Sequence, residues 1–183
     1  MATTKIQAAP QTAKRSFSAG SVISAIGRWI VRNRIYLIAF AIPAVLTYLA
    51  YALFGLYPFG EESVLCLDLN GQYVYYFEAL RDAFWGDGSI FYNWSRNLSG
   101  EFMGIIGYYL ASPFTLIVML LPEKFMLSSL LIMQLCKLGA AGATFNYFLQ
   151  KRRGVQPYPS LLFSTMYAMM AYGVIQLIDP MWL

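Results

Sequence analysis

Between Ile35 and Phe54 the chain carries no charged side chain. About 20 consecutive apolar residues are what an α-helix needs to cross a hydrocarbon core of roughly 30 Å. In that solvent every backbone N–H and C=O must be satisfied within the segment, which leaves a helix as the conformation for a single span. The run is too long for a signal-peptide core and no small-residue cleavage site follows it, so it is expected to remain as an anchor. Composition agrees: 58% of the residues are hydrophobic and 12% charged, against about a quarter charged in soluble domains. The lipid bilayer is therefore the first partner the sequence implies.

Charge is segregated along the chain. Lys5, Lys14, Arg15, Arg28, Arg32 and Arg34 precede the first apolar run with no acid among them. After it come Glu61, Glu62, Asp68, Glu78, Asp82, Asp87 and Glu101, with Arg81 and Arg96 as the bases among them. A basic arm abutting a span is a topology signal that places residues 1–34 in the cytoplasm. The net charge of +4 is then accounted for without nucleic acid, which is not expected as a partner.

Further along, apolar residues at Tyr73, Tyr76, Phe77, Leu80 and Phe84 fall on one helical face. They predict an interfacial helix over 72–85 in an external loop spanning 55–124. The stretch Phe102–Leu121 is apolar, yet Ser112-Pro113 is a helix-start signal inside it. Only about 14 Å of helix fits between Pro113 and Pro122. Treating 112–121 as a second interfacial helix also keeps Lys151-Arg152-Arg153 inside, as the positive-inside rule requires. Spans are then expected at about 35–54, 125–149 and 160–178. The fold class is an all-α membrane protein, and residues 35–183 form the N-terminal part of a multi-pass domain in the cell membrane. The abrupt end at Leu183 suggests a fragment of something longer.

Three groups of residues invite chemistry, in a chain without histidine. Asp68, in Leu67-Asp68-Leu69-Asn70-Gly71-Gln72, is either a helix cap or a carboxylate held at the outer membrane surface. Glu61 and Glu62 are additional acids near it, and the three together would be the place for a divalent metal, although so few carboxylates give a weak metal signal. No cofactor is required by the sequence. Lys137 lies mid-way along the second expected span, where a charge costs about 2.5–3.5 kcal/mol on insertion scales; it pairs structurally or holds an anion such as a lipid phosphate. Arg96, Tyr108 and Tyr109 could bind a sugar or a phosphate, or serve as an aromatic belt. Cys66 and Cys136 sit in unlike surroundings and predict neither a disulfide nor a metal site.

Taken in order, Asp68 with Gln72-Tyr73, Phe91-Tyr92-Asn93, Tyr108-Tyr109-Leu110-Ala111-Ser112-Pro113-Phe114, Lys137-Leu138-Gly139 and Pro180-Met181-Trp182-Leu183 resemble the bacterial YfhO family. Thr115 and Asp179 depart from the pattern, standing where the family usually has Asn. The family in turn resembles the GT-C class of membrane glycosyltransferases. That resemblance implies a module with interfacial helices in its first external loop and an essential acid there, which would be Asp68 as the catalytic residue. It implies a polyprenyl-phosphate sugar donor and an extracytoplasmic cell-wall acceptor such as a teichoic acid, with Arg96, Tyr108, Tyr109 and Lys137 binding substrate. A transporter or permease is the alternative, since a buried lysine and a broken apolar stretch also suit a substrate pathway. A non-catalytic scaffold would leave Asp68 and Lys137 without a role.

Overall fold

A computed structural model describes residues 19–95 and 100–182. The chain divides into two units, 1–34 and 35–183. Helix α1 is Ala19–Leu53. In the first unit its side chains from Gly20 onward are almost all exposed, Val22, Ile23, Ile26, Trp29, Ile30 and Val31 among them.

The second unit is helical, and the expected all-α class holds: among the described residues, strand is confined to Tyr92–Asn93 pairing antiparallel with Gly100–Glu101. After α1, a π-helical turn at Leu69–Tyr73 runs directly into α2, Val74–Trp85. A short turn α3, Met103–Ile105, leads into a second π-helical turn at Ile106–Leu110, and then comes α4, Thr115–Leu120. Helix α5 is Met126–Arg153 and ends at Gly154, whose φ of 65° is the left-handed cap that glycine takes most cheaply. Helix α6, Pro157–Ala168, starts with proline in its first turn. It is followed by α7, Ala171–Ile175, and 3₁₀ turns at Gln176–Ile178 and Pro180–Trp182.

By length and composition the segments Gly20–Leu53 and Glu123–Arg153 can cross a membrane. Pro157–Ala168 and Ala171–Ile178 together make a third candidate, bent by 46° between them. The sequence shows no proline at that bend; the chain leaves helical geometry at Met170, whose ψ is 152°.

The segment between α1 and α5 is packed against its own neighbours. Leu69, Tyr73, Phe77 and Leu80 share a core with Phe102, Ile105, Leu110, Val118, Leu130 and Met133. The periodicity that marked 72–85 as amphipathic therefore serves protein contacts, while Phe84 and Trp85 are left exposed. Arg81 fastens α2 to α4: its Nη1 donates to the carbonyls of Val118 (2.8 Å), Met119 (3.3 Å) and Leu121. Those are the last carbonyls of a helix, which lack donors of their own and favour a cation. Ser112 opens this helix through its carbonyl, which accepts from the Thr115 amide at 3.0 Å, and no side chain caps it.

Helices α1 and α5 meet at small residues. Pro43 has no amide to offer the carbonyl of Ala39 one turn earlier, and that oxygen faces Gly142 on α5. A β-carbon at Gly142 would lie 2.4 Å from it, and one at Gly139 would lie 2.8 Å from the Phe40 ring. Only glycine lets the backbones approach this closely, the small-residue packing usual between membrane helices. Polar side chains supply the rest. Tyr51 donates to Gln134 Oε1 at 2.7 Å, and Gln134 Nε2 donates to the Leu177 carbonyl at 2.9 Å. Asn146 donates to Ser160 and Ser164, binding α5 to α6.

Candidate functional site

The π-helical turn Leu69–Tyr73, with Asp68 at its head, and the 179–182 segment come together at one place. Asp68 stands at the head of the π-helical turn Leu69–Tyr73, yet its side chain makes no capping hydrogen bond. It accepts instead from Gln72 Nε2 at 3.3 Å. Leu67, immediately before it, has a φ of 47°. For a bulky non-glycine residue this left-handed conformation is an outlier, and such outliers cluster at functional sites. The Leu67 side chain is exposed, so its own burial does nothing to offset that cost.

Asp179 stands opposite. Partial burial, then the Asp68 charge, then a side-chain hydrogen bond to Asp68 push its carboxyl above the usual carboxylate range. Tyr73 lies beneath the pair. Its side chain is fully buried and its hydroxyl makes no hydrogen bond of good geometry. Burial is the chief reason its proton is held tightly; the nearby Met181 backbone opposes this, while Asp179, Tyr109 and Asp68 reinforce it. Tyr109 packs edge-on against Tyr73, with ring centroids 5.6 Å apart, and touches Tyr76 and Tyr108 as well.

Behind the same segment is Lys137. It is 5% exposed, and its ammonium donates to the Pro180 carbonyl at 2.5 Å. Among the described residues no carboxylate pairs with it, so a three-donor cation is held by one neutral acceptor. A hollow of about 240 Å³ adjoins this point, lined by Tyr108, Tyr109, Ser112, Pro180 and Met181. A larger one of about 480 Å³ does not contain Asp68; Tyr75, Tyr76, Tyr92 and Trp94 line it together with Glu78, Asp82 and Asp87.

Of the residues singled out in the sequence, Asp68, Tyr109 and Lys137 are thus drawn to the 179–182 segment, with Tyr108 on the rim of the smaller hollow. Arg96 lies outside the described residues. Glu61 and Glu62 are exposed; Glu62 contributes its carbonyl to the Tyr57 amide at 2.7 Å. Among the described residues no three acids, cysteines or histidines are grouped to hold a metal. Tyr73 was read as part of an apolar face and of the Gln72-Tyr73 motif, and nothing in either distinguishes a buried hydroxyl from a buried ring.

A family model described as bacterial membrane protein YfhO matches residues 39–183. The chain belongs to the YfhO family. The match takes in every element of the site, from Asp68 to Pro180, and the order of motifs noted above lies within it. No curated protein and no solved structure matches this YfhO-family chain. Membership establishes a membrane protein and leaves the reaction to be argued from the residues.

Proposed function

We propose that this chain carries the reaction centre of a GT-C-like glycosyltransferase that moves a sugar from a polyprenyl-phosphate carrier to an extracytoplasmic cell-wall acceptor. One observation carries the reading: a carboxylate on a strained turn, free of any capping duty, faces a segment anchored by a buried ammonium. In the reaction, Asp68 takes the proton of an acceptor hydroxyl as that oxygen attacks the anomeric carbon. The new C–O bond forms while the bond from the anomeric carbon to the phosphate oxygen breaks, and the electron pair leaves on the polyprenyl phosphate. A positioned base of this kind contributes typically 10²–10⁴-fold. The departing phosphate needs a cation, the role we assign to Arg96 and Lys137. Aromatic rings beside carboxylates, as in the larger hollow, suit the faces and hydroxyls of an acceptor sugar. The N-terminal segment is taken as cytoplasmic and the Asp68 loop as external, on the charge asymmetry. No resident cofactor is assigned.

The test is transfer of radiolabelled sugar from a polyprenyl carrier by membranes that express the protein. Asp68→Asn keeps the shape and the capping ability of aspartate. It is expected to lower transfer by at least about a hundredfold with unchanged expression. Activity within a few-fold of wild type would leave Asp68 a structural residue. Carrier-independent flux of a solute, with no transfer, would favour the permease.

A further inference from the structure

We propose that the larger hollow, between α2 and the 87–95 stretch, binds an organic ammonium group, and that the acceptor is what presents this group. The binding stands on the hollow itself; its assignment to the acceptor rests on the transferase reading. The charge in the wall is of one sign. Glu78 and Asp82 come from one face of α2, a turn apart, and Asp87 follows the end of that helix. Among the described residues no lysine or arginine lines the hollow. Arg81, the base of the same helix, is committed elsewhere, to the carbonyls of Val118, Met119 and Leu121.

These acids stand where a helix tolerates them least. Like charges four residues apart repel, and acids at a helix C-terminus meet the negative end of its dipole. The last turn of α2 holds no base to offset them. Glu78 registers the resulting field: burial first, then the charges of Glu123 and Asp82, raise its affinity for a proton. Aromatic rings complete the site. Tyr75 lies three residues before Glu78 on the same face, and across the hollow Tyr92 and Trp94 meet edge to face with ring centroids 4.7 Å apart. The pairing of Tyr92–Asn93 with Gly100–Glu101 holds that wall in place. Trp94 is 81% exposed, so most of its ring is open to a ligand. The negative faces of such rings attract cations and are suited to ammonium groups. A bound ammonium relieves the repulsion among the acids, whereas a neutral sugar would use the rings and leave the charges opposed. A bare metal ion fits less well: the hollow is about 480 Å³, and among the described residues no three acids are grouped to hold one.

The proposal is tested by calorimetric titration of the protein in phosphatidylglycerol nanodiscs, with empty nanodiscs subtracted. The probes are choline, a permanent cation, and its uncharged isostere in which a tert-butyl group replaces trimethylammonium. Choline should bind at least about tenfold more tightly than the isostere. Glu78→Gln with Asp82→Asn, which keeps shape and removes charge, should erase that difference, and Trp94→Ala should weaken choline a few-fold. Asp82 and Asp87 are exposed, so Asp82→Asn with Asp87→Asn decides should the Glu78 variant fail to insert. Equal affinities for choline and the isostere would overturn the proposal, as would a difference that survives loss of the carboxylates. Release of choline by Mg²⁺ at constant ionic strength would show a metal site and overturn it too. Displacement of choline by phosphatidylethanolamine in the nanodisc would give the ammonium to a lipid and overturn the assignment to the acceptor. In the transfer assay, an acceptor with free amines should be used at least about tenfold more efficiently in kcat/KM than the same acceptor N-acetylated. Equal use of the two would likewise remove the acceptor. If no sugar is transferred at all, the transferase reading falls and the choline titration still decides the ammonium site.

Discussion

Leu67 shows how much a single backbone conformation can do. A left-handed φ at a non-glycine residue costs roughly 1–2 kcal/mol, and the Leu67 side chain is exposed at 76%, so little burial would be lost on replacing it. Leu67→Gly relieves the strain while adding unfolded-state entropy. The expected outcome is a neutral change or a gain of up to ~1 kcal/mol, read as the melting temperature in detergent. A clear loss would mean that Leu67 contributes packing. Asp68 stood out in the sequence as an acid beside Asn and Gln, but those residues left a helix cap and a reactive carboxylate equally open, and the absence of a capping hydrogen bond could not be read there. Tyr73 did not stand out, because helical periodicity reports which face is buried and is silent on whether a hydroxyl at that face finds a partner.

At the scale of elements, the sequence signals that survived were those set by solvent. The uncharged run within α1 was one of them; the Gly154 stop of α5 and the prolines opening α6, which that reading did not use, also follow from backbone hydrogen bonding. The break between α6 and α7 carries no such mark, since Met169 and Met170 are ordinary helix residues. The close contact of α1 and α5 has a signal only in retrospect, in Pro43 on one helix and Gly142 on the other. Gly142→Val puts a branched side chain against the Ala39 carbonyl, where a β-carbon alone would sit at 2.4 Å. Overpacking of this kind typically costs 1–3 kcal/mol. We expect a lower melting temperature for Gly142→Val and a near-normal one for Gly27→Val, where a β-carbon meets nothing within 4 Å. Equal melting temperatures for the two would remove the α1–α5 contact from the account.

For the whole molecule, the membrane character was evident from composition and the charge pattern, whereas the path of the chain through the bilayer depends on how the 102–121 stretch is read. With 112–121 external, Gln156, just after Lys151-Arg152-Arg153, is cytoplasmic. A cysteine at Gln156, in a chain whose Cys66 and Cys136 are replaced by serine, should resist a membrane-impermeant maleimide applied from outside and react after permeabilisation. Labelling of intact cells would add a span and invert everything after it. In either case the site draws on both ends of the second unit, Asp68 from its early part and Asp179 from its last residues.

The amide of Gln134 connects regions of the chain that are made at different times. It accepts from Tyr51, which precedes it, and donates to the carbonyl of Leu177, which is synthesised well after α5 is complete. For that interval the donor half of the amide has no destination, in surroundings where an unsatisfied polar group costs several kcal/mol. Synthesis order alone makes the Tyr51 bond available before the Leu177 one, so the segment 171–178 supplies the last partner of this amide. A chain ended before Leu177 keeps the Tyr51 bond but leaves the amide N–H groups without this acceptor, and the arrival of the Leu177 carbonyl satisfies them.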